Sequence, residues 1–243
     1  MQPTFFPWLG YFDLIDTADK FVFYDDVQFA RTALLHAQAA AKLGVKKIVL
    51  GECGHAHKAL TVIADRVLPP GLQIPRESFL AMLRDIVVND KIKLDPSRND
   101  FPVTLHDPCN ITRMMGIVKP QRDIVKKICP QFREMTPHGS NNYCCGGGSG
   151  YAIMSRNTIP EWRAKVSGRK KMSQILGAFS DSRGPEKKKY VCAPCSNCKG
   201  QIRDLFERYE LLEKESLAYG GLVELVVNAM TDVNPGFIKW GEE

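Results

Sequence analysis

The chain has 243 residues, of which 44% are hydrophobic and 25% charged, and its formal net charge is +6. This composition is typical of an ordinary globular protein with one substantial core or two small lobes, and no low-complexity tract is present. The basic excess lies in short runs (169–171 and 187–189) without interleaved aromatic residues, so we expect no nucleic-acid binding.

The first 31 residues are rich in aromatic and acidic residues, unlike the rest of the chain. Within this segment, residues 21–24 (FVFY) predict a buried strand that ends at Asp25-Asp26. The composition changes near Arg31, and the Ala-rich residues 36–43 predict a helix with Gly44 as its C-cap.

From residue 46 onward, strand patterns and helix patterns alternate. Strands are predicted at 46–50, 101–105, 132–135 and 190–192. Helices are predicted at 56–66, 77–90, 121–128, 160–179, 199–210 and 222–230, with a polar linker at 95–99. This alternation predicts an α/β fold with layers, in which helices flank a mainly parallel sheet.

Four cysteine motifs follow predicted strands directly: Cys53 in GECGH, Cys109 in HDPC, Cys144-Cys145 in YCCGGG, and Cys195 with Cys198 in APCSNC. In open parallel sheets, ligands bind beyond the carboxyl ends of the strands. We therefore expect these motifs to converge on one edge of the sheet.

The chain contains eight cysteines, and five of them fall in two tight clusters. No segment has the roughly 18–20 apolar residues of a membrane span, and no signal peptide is evident, so we expect a cytoplasmic location without a direct membrane span. In a reducing compartment, clustered cysteines more often bind metal or do redox chemistry than form disulfides.

The vicinal pair Cys144-Cys145 is the least common of these features, because adjacent residues of a regular strand cannot point the same way. The Gly-Gly-Gly-Ser-Gly run that follows the pair supplies irregular backbone and lets N–H groups approach bound sulfides. Thiolates are soft ligands that select iron–sulfur clusters, zinc or Cu(I).

Cys195 and Cys198 form a C-x-x-C at a helix start, where the positive end of the helix stabilises thiolates. Cys192 forms a second C-x-x-C with Cys195, but it lies inside the predicted strand and ranks below Cys198 as a ligand. Cys129, on an amphipathic helix, is expected in the core.

Other residues beside these motifs favour structural roles. A structural hydrogen bond at the strand end is favoured for His106 over catalysis, and Asp107 is expected to cap the following turn.

The motifs HDPC, YCCGGGSG and APCSNCK resemble the cysteine-rich CCG domain found in the B and D subunits of heterodisulfide reductases. They are similar also to the K subunit of the sulfite-reductase-associated membrane complex of sulfate reducers. The resemblance covers residues 34–243. It implies a non-cubane [4Fe–4S] cluster and reduction of a disulfide-type substrate. Its ligands by this resemblance are Cys109, Cys144, Cys145, Cys195 and Cys198.

The resemblance also implies partners and a place in the cell. The partners are other redox subunits, namely a ferredoxin-like cluster protein and a membrane cytochrome subunit. The substrate is a disulfide or persulfide on a small molecule or small protein. Such a chain would be cytoplasmic or peripheral to the inner membrane through its partners, and it could be inactive alone.

The segment LGVKKIVLGECGHAHKAL resembles the end of a preceding, degenerate half-domain in the same subunits. This implies two pseudo-related half-domains with the first one truncated, at 33–98 and 99–243. There Cys53 approaches the cluster or substrate and His55 delivers a proton; a buried structural role for Cys53 is an equal alternative. His55 and His57 are unsuited as co-ligands, because they lie on different faces of a helix.

Residues 2–31 resemble the opening of WbqC-like proteins, a group associated with bacterial surface-glycan loci. We predict that residues 1–32 are a fragment of that family which adds a strand and an aromatic plug, and a remnant sugar site at Asp25/Asp26 is the alternative.

Three other functions remain open from the residues themselves. The first is a structural zinc module that mediates interaction, because zinc sites commonly use two C-x-x-C pairs. The second is a purely thiol-based oxidoreductase, although five thiols exceed what dithiol exchange needs. The third is a WbqC-type glycan enzyme.

Overall fold

The computed structural model of the chain describes residues 25–148 and 155–240. The described residues fall into two compact units, which are residues 25–48 with 59–76, and residues 49–58 with 77–148 and 155–240. No helix among the described residues is long and apolar enough to cross a membrane.

The first unit is built on helix α1 (Asp25–Lys42). Ala33 and Ala37 of this helix pack in a small core with Ala64 and Leu68. Small alanine side chains let the two segments approach closely while keeping helix propensity high. Gly44, at φ +69°, ends the helix as its sequence predicted.

The predicted strand 21–24 lies outside the described residues. Asp25 and Asp26, which were predicted to end that strand, are instead the first residues of α1. The helix runs without interruption through Arg31, where the composition changes.

The second unit contains a four-stranded parallel sheet of order β4-β3-β5-β6. Its strands are β3 (Val103–Leu105), β4 (Phe132–Arg133), β5 (Lys189–Cys192) and β6 (Leu217–Gly220). Two further strands, β1 (Ile48–Leu50) and β2 (Arg76–Ser78), form a separate two-stranded sheet. The predicted parallel α/β architecture with flanking helices is therefore confirmed.

The helices that flank the large sheet occupy most of the predicted positions. They are α4 (Phe79–Val88), α5 (Cys109–Met115), α6 (Lys119–Ile128), α8 (Arg169–Ala178), α9 (Ser196–Arg208) and α11 (Leu222–Ala229). Shorter helical segments are α2 (Gly54–His57), α3 (Ala64–Val67), α7 (Pro160–Trp162) and α10 (Leu211–Lys214), with π-helical turns at Lys58–Ile63 and Arg163–Ser167. The predicted linker 95–99 contains a 3-10 turn, Pro96–Asn99.

Alternation along β5 divides the core into two layers. Tyr190 and Cys192 face one layer, which contains Leu80 and Leu225. Val191 faces the other, with Ile202. Because successive strand residues point to opposite faces, a shift of one residue reverses which layer a side chain joins. All four residues of β5 are buried, as expected for a parallel strand covered on both faces.

Strand β6 and helix α5 were not predicted. β6 is only four residues long and ends in glycine, so its sequence carries a weak strand signal, and pairing with β5 supplies its backbone partners. Helix α5 begins directly after Pro108 and ends at Gly116, which has φ +67°. Pro108 and Gly116 were the sequence signals from which the start and end of α5 could have been predicted.

Candidate metal centre

The loops that leave strands β3, β4 and β5 bring five cysteines together at the carboxyl edge of the sheet. Cys145 Sγ lies 3.4 Å from Cys198 Sγ. Hydrogen bonds between thiol groups also join Cys109 to Cys144, Cys144 to Cys145, and Cys195 to Cys198. The sulfurs thus form one continuous chain in the order 109–144–145–198–195.

Each cysteine motif is positioned at this edge by a different local structure. Cys109 is the first residue of α5, Cys195 is the N-cap of α9, and Cys198 lies in the first turn of α9. The predicted C-x-x-C at a helix start is therefore observed, although α9 begins at Ser196 rather than Lys199. Cys145 and Cys198 are buried, whereas Cys144 is exposed.

The glycine run after the vicinal pair is required by close contacts. Gly146 has φ +80°, and a Cβ there would lie 2.5 Å from the backbone oxygen of Ser167. A Cβ on Gly147 would lie 2.4 Å from Oε1 of Gln201. No other residue fits either position without displacing its neighbour, so the glycines allow the pair to turn toward α9.

Backbone N–H groups surround the sulfurs. The amide of Gly146 donates to Cys144 Sγ at 3.4 Å, and the amide of Gly54 donates to Cys195 Sγ at 3.3 Å. The amides of Asn110 and Gly147 hydrogen-bond to the sulfurs of Cys109 and Cys145. Such donors stabilise negative charge on sulfur.

The shared hydrogen bonds divide the five thiols into two kinds. The pKa of Cys144 is lowered because the thiols of Cys109 and Cys145 donate to it, and the pKa of Cys195 falls to about 5 because Cys198 and backbone amides donate to it. The pKa of Cys145 rises to about 12 because it donates to Cys144. Cys144 and Cys195 therefore favour the thiolate, the form that binds metal, whereas the pKa values of Cys109, Cys145 and Cys198 are raised.

Cys53 and His55, predicted to act on the substrate, lie on the neighbouring loop of the same unit. Cys53 is half-buried and is the N-cap of α2, where its Sγ accepts from the amide of Ala56 at 3.4 Å. His55 Nδ1 lies 2.6 Å from Nδ2 of Asn197, which stands between Cys195 and Cys198 in the chain. His57 is buried and bonded at both ring nitrogens, so it has a structural role distinct from that of His55.

Cys129 and Cys192 are absent from this chain of sulfurs. Both are buried in the opposite core layer, and burial raises their pKa values. The prediction that Cys129 is a core residue is confirmed, and the low rank given to Cys192 agrees with its direction from β5.

Asp107 does not cap the following turn, so that prediction is wrong. Its carboxylate accepts two hydrogen bonds from Arg122, at 2.7 and 2.6 Å, and one from the amide of Gly139 at 2.6 Å. This buried bidentate pair ties α6 and the loop at 139 to the end of β3, which positions the neighbouring Cys109.

His106 does form the predicted structural hydrogen bond, through Nδ1 to Asn142 Nδ2 at 3.3 Å. Its other ring nitrogen, Nε2, is buried and has no hydrogen-bond partner within the described part of the chain. One ring nitrogen of His106 and the sulfurs of Cys145 and Cys198 lie within 4.8 Å of one another. Burial and the nearby Lys171 lower the pKa of His106 well below its usual value.

Lys171, which the sequence indicated only as part of a basic helix, is fully buried. Its Nζ donates to Asn142 Oδ1 at 2.8 Å and to Gln174 Oε1, which are neutral acceptors. Among the described side chains, no carboxylate lies within ion-pair distance of it, and burial lowers its pKa to about 8. A buried cation without a counter-ion indicates that negative charge is expected nearby.

This donor set fits an iron–sulfur cluster. It offers soft sulfur ligands, backbone N–H donors, the open Nε2 of His106 and the buried cation of Lys171. A single zinc ion needs only four ligands, and the continuous chain supplies five sulfurs.

Comparison with known families gives two matches in different parts of the chain. Residues 103–203 match the cysteine-rich domain family, CCG, and residues 2–40 match the WbqC-like protein family. Both resemblances found in the sequence are therefore confirmed. No solved structure matches the chain.

Among curated proteins, the chain is 26% identical over 231 residues to the Hdr-like menaquinol oxidoreductase iron-sulfur subunit 2 of Archaeoglobus fulgidus, covering 79% of this chain and 38% of that protein. It is 28% identical over 213 residues to the D subunit of the dihydromethanophenazine:CoB–CoM heterodisulfide reductase of Methanosarcina barkeri, covering 86% of this chain and 46% of that protein. The chain spans less than half the length of either relative.

Proposed function

We propose that this chain is an iron–sulfur electron-transfer subunit of a heterodisulfide-reductase-like complex. The observation that carries the proposal is the continuous chain of five cysteine sulfurs at the carboxyl edge of the sheet. The two relatives, named as an iron-sulfur subunit and a heterodisulfide reductase subunit, support it. The fully buried Lys171 supports it further, since a cluster held by thiolates carries negative charge.

Within this proposal the cofactor is a non-cubane [4Fe–4S] cluster. Its ligands are Cys109, Cys144, Cys145, Cys195 and Cys198. The cluster would supply electrons, received from a partner subunit, to a sulfur–sulfur bond. Cys144 is the exposed cysteine of the centre, so in this proposal the substrate approaches beside it.

The proposed reaction is reduction of a disulfide, RSSR + 2 e⁻ + 2 H⁺ → 2 RSH. The two electrons break the S–S bond, and each product sulfur takes one proton. In this proposal His55 supplies a proton, and its partial exposure and its contact with Asn197, between Cys195 and Cys198, support that role. Cys53, whose sulfur is half-buried beside His55, would line the substrate side.

The proposed partners are a ferredoxin-like cluster protein, which delivers electrons, and a membrane cytochrome subunit. We propose that the chain works on the cytoplasmic side, peripheral to the inner membrane through these partners, and that it is inactive without them. The proposed domain organisation is a WbqC-like fragment at 1–32, a remnant half-domain at 33–98 and a cluster-binding domain at 99–243. The family matches at 2–40 and 103–203 support the first and the third of these domains.

The test is reconstitution of the full chain without oxygen, followed by measurement of iron and acid-labile sulfide. We expect close to four irons per chain for this cluster type, with an EPR signal after oxidation or reduction that differs from that of a cubane cluster. The Cys129→Ala variant is the matched control, because it removes a buried cysteine of the opposite layer. One tightly bound zinc without sulfide would contradict the proposal and favour the structural zinc module.

A further inference from the structure

The side chain of Asn142 has a single orientation that satisfies its neighbours. Its Oδ1 lies 2.8 Å from Nζ of Lys171, which can only donate. Its Nδ2 lies 3.2 Å from the backbone oxygen of Asp107, which can only accept. Exchanging the amide oxygen and nitrogen would oppose donor to donor at Lys171 and acceptor to acceptor at Asp107. The surrounding groups therefore fix Nδ2 as the atom that faces His106.

The orientation of Asn142 determines the tautomer of His106. Nδ2 of Asn142 is a donor and lies 3.3 Å from Nδ1 of His106, so Nδ1 must be the acceptor and carry no proton. A ring with unprotonated Nδ1 is neutral and carries its single proton on Nε2. Nε2–H is thus a buried donor, and no acceptor lies within reach of it in the described segments.

The sulfurs of Cys145 and Cys198 lie beside this ring, within 4.8 Å of one of its nitrogens. Because Nδ1 is already bonded to Asn142, Nε2 is the nitrogen left to face a bound group. A nitrogen that carries a proton cannot ligate iron, but it can donate to sulfur.

We infer that His106 donates its Nε2–H to a sulfur of the cluster held by Cys145 and Cys198, and that Asn142 and Lys171 are positioning residues which hold it in that tautomer. This inference rests on the proposed function, because it requires a cluster at the centre.

The consequence is a higher reduction potential. A hydrogen bond to sulfur stabilises the reduced state, in which the sulfurs carry more negative charge, over the oxidised state. His106 therefore acts on the cluster's affinity for electrons and is not needed to hold the iron. Its loss is expected to shift the potential while leaving the iron content unchanged.

The first experiment measures the reduction potential of the reconstituted full chain by an EPR-monitored redox titration. His106→Phe is expected to lower the one-electron equilibrium constant for reduction about tenfold, which corresponds to about 59 mV. His106→Gln keeps an N–H donor on a side chain of similar reach and is expected to restore part of the shift. His138→Phe, at an exposed histidine elsewhere in the unit, is the matched control and is expected to leave the potential unchanged.

The second experiment determines which nitrogen is protonated, by ¹⁵N NMR of labelled histidine in the iron-free chain. We expect an unprotonated Nδ1 at His106, and a protonated Nδ1 in Asn142→Asp, because the carboxylate can only accept. Pulsed EPR of the iron-loaded chain then distinguishes the weak ¹⁵N coupling of a donor from the strong coupling of a ligand.

Four results would overturn the inference, and they are distinguishable. A protonated Nδ1 at His106 in the wild-type chain, or a strong ¹⁵N coupling from an iron ligand, contradicts the inference while the proposed function stands. An unchanged potential in His106→Phe with full iron content does the same. A wild-type chain that takes up no iron contradicts the proposed function, and the hydrogen bond to the cluster with it.

Discussion

The carboxyl edge of the large sheet and its apolar interior both contain cysteines, and the two sets have different surroundings. The edge cysteines (109, 144, 145, 195 and 198) contact one another. Four of them (109, 144, 145 and 195) accept backbone N–H groups, and three (144, 145 and 198) lie near Lys171. The core cysteines, Cys129 and Cys192, are packed among Leu and Ile side chains of the other layer. Cys192 and Cys195 are only three positions apart, yet they belong to different sets.

The difference shows that sequence spacing alone does not make a cysteine a ligand. Cys192 and Cys195 have the same C-x-x-C spacing as Cys195 and Cys198. Cys192 is still in strand β5, whose alternation turns its side chain toward the apolar layer. Cys195 lies past the strand end, where backbone amides of a helix start are free to bind sulfur.

The largest expected effect is on iron uptake, when one cysteine of each set is substituted in turn. Cys198→Ser should abolish most iron uptake, because serine oxygen is a poor substitute for a soft thiolate that joins Cys145 to Cys195 in the sulfur chain. Cys192→Ala should leave iron uptake unchanged and lower the free energy of unfolding by about 1 kcal/mol, as a small core truncation does. Iron analysis and denaturant unfolding measure the two effects. Equal loss of iron in both variants would contradict the distinction between the sets.

The second prediction concerns the backbone that makes the edge set possible. Gly146→Ala should destabilise the chain by roughly 2–4 kcal/mol, because its φ of +80° disfavours a Cβ that would also meet Ser167 oxygen at 2.5 Å. Gly177→Ala is the matched control; no atom lies within 4 Å of its added Cβ, and it should stabilise helix α8 by about 0.5–1 kcal/mol. Thermal unfolding of both variants checks the sign of each effect.

Lys171→Met tests the cation on the edge side. Removing this buried charge should disfavour reduction about tenfold, or about 59 mV for one electron, because the reduced cluster carries more negative charge. Lys170→Met removes the same charge from the adjacent, exposed position and should shift the potential much less, since solvent screens it. A redox titration of both variants makes the comparison, and equal shifts would show that only net charge matters.

The smallest effect is a pH dependence at Glu52, whose carboxylate accepts from the amide of Leu222 at 2.6 Å. Burial raises the pKa of Glu52 from 4.5 to about 7. The folded state therefore binds more protons than the unfolded state between these pH values, so its contribution to stability is full below about pH 4.5 and falls as the pH rises toward 7. The loss should amount to about 1–3 kcal/mol.

Glu52→Gln should flatten that dependence while keeping the oxygen that faces the Leu222 amide. The measurement is the free energy of unfolding of the iron-free chain from pH 5 to pH 8, and Glu77→Gln is the control at a partly exposed glutamate. If the free energy of unfolding changes by the same amount over this pH interval in the wild type and both variants, the assignment to Glu52 is contradicted.

Much of the fold followed from local patterns. Apolar periodicity predicted helices α4 and α6 to within a few residues, and β-branched residues with flanking turns predicted β3 and β5. Strand β6 could not be predicted in the same way, because four residues ending in glycine have little strand preference until β5 supplies hydrogen-bond partners. Helix α1 was predicted too short for a related reason, since its first turn carries acidic residues that also suit a strand end.

Within the centre, the cysteines could be predicted as site residues from the sequence, because cysteines clustered at strand ends seldom have another role. Lys171 and Asn142 were not visible, because a lysine in a basic helix and an asparagine before a tyrosine are usually solvated. Only the packing of α8 against the loop after β4 turns them inward.

The sequence by itself determined the alternation of strands and helices, because this alternation depends on contacts between near neighbours in the chain. The family resemblances and the positions of the cysteine motifs are read directly from the order of the residues. The tertiary structure decided which cysteines share an edge, where the positive charge is buried and which nitrogen of His106 carries the proton. Each of these depends on groups 29 or more residues apart in the chain, such as Lys171 with Asn142 and Asn142 with His106, whose contacts exist only once the sheet has formed.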